Sequence, residues 1–126
     1  MTTKKIILID DDQDINAQNE TALKSAGFET QIAFSAKEGF EKLENTKADL
    51  VILDVVMEYE NSGLELARKI SSNKELKKTP IILLTSDGNN PKWMQQDGHT
   101  WDNIVKILDK PVTPSKLVET VKKVLD

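Results

Sequence analysis

The sequence predicts an α/β protein, a doubly wound five-stranded parallel sheet with helices on both faces, forming a three-layer sandwich. Short apolar runs alternate with amphipathic ones along the whole chain. Several of those runs are continuous stretches of Ile, Leu and Val without polar alternation, the pattern of strands covered on both faces. All but the second run end on or beside a residue able to do chemistry: Asp10 with Asp11, Asp54, Thr85, and Lys110 just past the fifth.

The elements follow in order. "KKIILID" (4 to 10) is the first buried strand. From Ile15, a helical stripe passes through Asn19, Ala22, Leu23 and Ala26, and Gly27 stops it. "FETQIAF" (28 to 34) roughly alternates and reads as a second, more exposed strand that suits a sheet edge. Ser35 followed by Glu38 is a capping-box signature for a helix with Phe40 and Leu43 on its inner side. "DLVILD" (49 to 54) is the third strand, and "LELARKI" (64 to 70) a helix with Leu64, Ala67 and Ile70 on one face. "PIILLT" (80 to 85) is the fourth strand, with Pro80 tolerated only at its start. Between 86 and 103 periodicity is weak; Asn90 and Pro91 suggest a helix opening there. "IVKIL" (104 to 108) is the fifth strand. Thr113 and Pro114 open a final helix with the stripe Leu117, Val118, Val121, Val124 and Leu125.

Composition narrows the class. At 126 residues, with 38% hydrophobic and 30% charged side chains, one compact domain over 1–126 is expected, with no output domain among these residues. No apolar run approaches the roughly 20 residues of a membrane span, and the apolar block of "MTTKKIILIDDD" is too short for a secretory signal. A cytoplasmic protein is therefore expected. The absence of cysteine excludes disulfides and thiolate zinc sites. A net charge of -4 with scattered lysines argues against nucleic-acid binding by this domain.

In this fold class ligands bind beyond the carboxyl ends of the strands, at the topological switch point. The strand-end residues, in the stretches "ILIDDD", "LVILD", "IILLTS" and "ILDKPV", together resemble the receiver domain of two-component response regulators, the CheY-like superfamily, across essentially the whole chain. The resemblance implies a flavodoxin/CheY-like sheet of order 2-1-3-4-5. It also implies roles: Asp10 and Asp11 as the acidic metal-binding pair, Asp54 as phosphoacceptor, and Val56 as a metal ligand through its backbone carbonyl. Thr85 matches the hydroxyl that moves toward the phosphoryl group, Ser86 the small residue beside it, and Lys110 the family's lysine, usually followed by a cis-proline, here Pro111.

With the first and third strands adjacent, neighbouring backbones lie roughly 5 Å apart, so Asp10, Asp11 and Asp54 converge. Three such carboxylates repel, and a hard divalent cation with oxygen ligands relieves them: Mg²⁺, with Mn²⁺ as a substitute. The implied function is acceptance of a phosphoryl group from a sensor histidine kinase or phosphotransfer protein onto Asp54. The signal then leaves through the face built from the fourth helix, strand five and the final helix. The resemblance implies a signalling phosphoacceptor and not an enzyme acting on other substrates. Its downstream target is a protein of unstated identity, membranes are not a partner, and it is a monomer or a phosphorylation-dependent dimer.

Departures from the family pattern bear on output and lifetime. Ile107 stands where the family usually has an aromatic switch residue. The loop after Asp54 is about one residue longer and lacks the usual Met-Pro pair, the stretch from Thr85 to Lys110 is longer and lacks the usual Gly-Ala, and Val56 offers no polar contact to an attacking water. Slow autodephosphorylation is expected.

Rival readings are weaker. A flavodoxin-like cofactor binder needs donors for phosphate in its first loop, where this chain presents acids. A phosphoaspartyl hydrolase wants an acid at the position of Val56, and no P-loop motif exists. The runner-up is a non-phosphorylated pseudo-receiver acting as a protein-interaction module. Asp12 and Asp14 read as capping or solvated groups, His99 as structural or exposed, and Trp93 and Trp101 as packing residues.

Overall fold

The computed structural model describes residues 3–55, 62–85 and 103–125. Its elements are β1 (Lys5–Ile9), α1 (Gln13–Ser25), β2 (Glu29–Ala33), α2 (Ala36–Asn45), β3 (Leu50–Asp54), α3 (Ser62–Ser72), β4 (Ile81–Thr85), β5 (Ile104–Asp109) and α4 (Pro114–Leu125). All strand pairings are parallel, and the order is β2-β1-β3-β4-β5, as the family resemblance implies. The readings of Val56, Ser86, Asn90, Pro91, Trp93, His99 and Trp101 fall outside the described residues. Among the described residues, no helix is long and apolar enough to cross a membrane.

Two apolar layers cover the sheet. Ile7, Ile9, Val51, Leu53, Ile81 and Leu83 point to one side and pack with Leu43 of α2 and Leu66, Ala67 and Ile70 of α3. Ile6, Leu8, Leu50, Ile52, Ile82 and Leu84 point to the other and pack with Leu23 of α1 and Leu117 and Val121 of α4. Central strands with no polar alternation thus follow from burial on both faces.

Local signals set both ends of α1 and the start of α2. Asp12 caps α1 by accepting from the N–H groups of Asp14 and Ile15. At the other end Gly27 adopts φ 97°, and the N–H groups of Gly27 and Phe28 donate to the carbonyls of Lys24 and Leu23. That is a Schellman stop, which favours glycine because the left-handed conformation penalises a Cβ. Ser35 caps α2 as expected, accepting from Glu38 N–H at 3.1 Å. The return half of the capping box differs: the Glu38 carboxylate accepts from Phe34 N–H, one residue before the cap.

One reading of the sequence needs correction. The inner face of α1 is Asn16, Asn19 and Leu23, whereas Ile15 and Ala22 are only half-buried. Asn16 was missed because an asparagine gives no hydropathy signal. The fifth strand forms where "IVKIL" places it, and within it Val105 is 46% exposed and Lys106 is exposed. Ile81 pairs with Ile104 but Ile82 pairs with Lys106, so Val105 is the extra residue of a β-bulge. The bulge brings Ile104 and Ile107, three apart, to the same core layer. It also interrupts the register of this end strand.

Candidate functional site

Parallel pairing of β1 with β3, and of β3 with β4, stacks the strand ends at one rim. Ile9 is level with Leu53, and Asp54 with Leu84, so Asp10, Asp54 and Thr85 emerge side by side. All three are buried, at 4, 3 and 3% exposure, while Asp11 is exposed. Carboxylate oxygens of Asp10, Asp11 and Asp54, one from each, lie within 4.8 Å of one another.

Lys110 reaches this cluster from beyond β5. Its Nζ donates to Asp54 Oδ2 at 2.7 Å. Pairing of Thr85 with Asp109, together with a Lys110 N–H to Thr85 carbonyl bond of 2.9 Å, places the base of the lysine beside the end of β4. The Lys110–Pro111 peptide is cis. Sequence reading thus named five residues that the fold gathers at one rim: Asp10, Asp11, Asp54, Thr85 and Lys110. Val56 and Ser86 lie outside the described residues, and Ile107 is half-buried in the layer beneath α2 and α3.

The electrostatics of Asp10 are uneven. Its Oδ1 accepts from Asp12 N–H at 3.0 Å, but its Oδ2 is buried with no hydrogen-bond partner among the described residues. Burial, opposed by the Asp12 bond and reinforced by the charge of Asp54, raises its carboxyl from 3.8 to about 6; Lys110 pulls the other way and Asp11 adds to the rise. A partnerless buried carboxylate oxygen is costly. The donors are all carboxylate oxygens, with no nitrogen or sulfur, a set that fits a hard cation such as Mg²⁺ and not a soft one.

A glycine that the sequence reading assigned no role completes the rim. Gly63, in the first turn of α3, donates its N–H to the Val55 carbonyl at 2.9 Å. A Cβ there would collide with the Asp54 carbonyl oxygen and stand 2.7 Å from Val55 Cα. The backbone carrying Asp54 therefore packs directly on α3. "NSG" before an apolar helical run was the available signal, but it does not reveal which backbone the glycine approaches.

With the geometry in view, the comparisons with known proteins agree. A family model for the response regulator receiver domain matches residues 6–122, and the chain belongs to that family. It is 31% identical over 125 residues to the phosphate regulon transcriptional regulatory protein PhoB of Pseudomonas aeruginosa, covering 99% of this chain and 53% of that protein. It is 34% identical over 121 residues to the CAI-1 autoinducer sensor kinase/phosphatase CqsS of Vibrio cholerae, covering 94% of this chain and 17% of that protein. The chain thus spans about half, or less, of the length of these relatives. Among solved structures, a CheY-like receiver domain protein from Methanospirillum hungatei superposes with a TM-score of 0.82 at 28% identity, covering 99% of this chain and 95% of that one. The chemotaxis response regulator CheY4 of Vibrio cholerae gives 0.81 at 28% identity, covering 98% and 99%.

Proposed function

We propose that this receiver domain accepts a phosphoryl group from the phosphohistidine of a sensor histidine kinase or phosphotransfer protein onto Asp54, in a Mg²⁺-dependent reaction. One observation carries the reading: buried Asp54, held at 2.7 Å by Lys110, adjoins a second buried acid, Asp10, whose Oδ2 has no hydrogen-bond partner among the described residues. In the step, an Asp54 oxygen forms the new O–P bond as the N–P bond to the donor imidazole breaks and its electron pair returns to the ring nitrogen. The strand end holds the nucleophile rigidly in place. Lys110 transfers its hydrogen bond to a phosphoryl oxygen, the Thr85 hydroxyl donates to another, and Ser86 leaves room beside them. Mg²⁺, held by Asp10, Asp11, Asp54 and the Val56 carbonyl, with Mn²⁺ as a substitute, would supply the positive charge that screens the phosphoryl oxygens from the surrounding acids.

Phosphorylation then biases a two-state equilibrium of the face around β5 and its flanking helices, and a protein target reads the change. The 126 residues act as one cytoplasmic receiver unit that catalyses only its own phosphorylation and dephosphorylation. A sensor kinase and transcriptional regulators among the relatives support this placement in kinase-linked signalling. Incubation with acetyl phosphate and Mg²⁺ followed by intact mass tests it. The wild-type chain gains one phosphoryl mass, and Asp54→Ala does not. No gain in the wild type would instead favour a pseudo-receiver.

A further inference from the structure

We infer that Asn16 is a positioning residue for the acidic cluster, setting the relative placement of Asp10 and Asp11; this rests on the Mg²⁺-dependent reading above. Asp10 is where the chain leaves the sheet. Its N–H still donates to the Ala33 carbonyl of β2 at 3.1 Å, but its own carbonyl lies past the β1 ladder. Asn16, 1% exposed on the inner face of α1, reaches back to it. Its Nδ2 donates to the Asp10 carbonyl at 2.8 Å and to the Ala33 carbonyl at 3.3 Å. Both neighbours are acceptors, so only the amide nitrogen can face them.

The consequence is geometric. A peptide unit is planar, so holding the Asp10 carbonyl also holds the Asp11 nitrogen and the direction in which Asp11 departs. Asp10 is thus tied on both sides, by its N–H to β2 and by its carbonyl to α1. Among the described residues no other donor reaches that carbonyl. A leucine at position 16 would pack on the same core layer and leave the carbonyl orphaned, which explains a carboxamide where hydrophobic burial alone calls for an apolar side chain.

Asn19 supplies an internal control. It is also buried on α1, one turn on, yet its side chain makes no hydrogen bond among the described residues. Mg²⁺ dissociation constants measured by calorimetry on wild type, Asn16→Leu, Asn16→Ala and Asn19→Leu test the inference. Outer partners of ligand-bearing residues commonly change metal affinity by about 10- to 100-fold, so both Asn16 variants should bind roughly tenfold more weakly, and Asn19→Leu as the wild type does. The alanine variant guards against misfolding of the leucine one, because alanine is the best helix former. Asn16 variants that bind within about twofold of a wild type that does bind, or Asn19→Leu weakened equally, would overturn the positioning role alone. A wild type that binds no Mg²⁺ overturns the cation reading and this inference together.

Discussion

Asp49 and Asp10 stand at opposite ends of the same two strands and serve opposite ends. Asp49, just before β3, accepts the Lys5 N–H on Oδ2 at 2.8 Å and donates its own N–H to the Lys5 carbonyl at 2.8 Å. Its charge closes the start of the β1–β3 pair. Asp10, just after β1, faces Asp54 and Asp11, with one oxygen buried and, among the described residues, unpartnered. The first acid meets a strand N–H that has no ladder partner, and it stabilises the sheet. The second meets other acids, and stability is given up for a site that a cation can complete.

The largest effect should come from closing the space on which the acidic rim depends. Gly63→Ala forces a methyl group into the Asp54 and Val55 backbone, and overpacking against atoms that cannot yield costs on the order of 3 kcal/mol. Urea unfolding would read this as a large drop in midpoint; an unchanged midpoint would show that α3 does not sit on the Asp54 strand end.

Removing the charge of Asp10 should act in the opposite direction. Asp10→Asn should stabilise the metal-free protein at neutral pH by roughly 1–3 kcal/mol while abolishing Mg²⁺ binding. The pH dependence has a definite sign. Because the folded-state carboxyl is raised from 3.8 to about 6, its contribution to metal-free stability is fully present below 3.8 and is lost as pH rises to about 6. Asp10→Asn should flatten that slope. In wild type, Mg²⁺ affinity should fall as the pH drops through about 6, where a proton competes for the ligand. An Asp10→Asn variant less stable than wild type without metal would refute the strained-carboxylate account.

The smallest expected effect lies at the quiet end. Asp49→Ala should destabilise by about 1 kcal/mol, the net value of a typical hydrogen bond, with no change in Mg²⁺ affinity. Opposite signs for Asp49→Ala and Asp10→Asn in the same unfolding assay would sharpen the contrast; equal signs would break it.

Much of this was legible before any coordinates. Continuous apolar runs and period-3.6 stripes, with Gly27 as a stop and Ser35 as a cap, placed the elements, because these signals act within a few residues. The acids at strand ends were readable because a charge closing an apolar run is a local oddity. Asn16 was not readable: its value lies in two carbonyls, one of them 17 residues away. Nor was the bulge at Val105, which exists only relative to the register of β4.

The chain alone therefore determined which segments are strands and helices, and that four strand ends carry reactive groups. The tertiary structure decided that Asp10, Asp11 and Asp54 share one small volume, that Lys110 bridges to Asp54, that α3 rests on its backbone through Gly63, and that Asn16 holds the Asp10 carbonyl. Local preferences are set by neighbours a few residues away and are written along the chain. Convergence depends on strand order and register, which arise only when distant segments bury their apolar faces together.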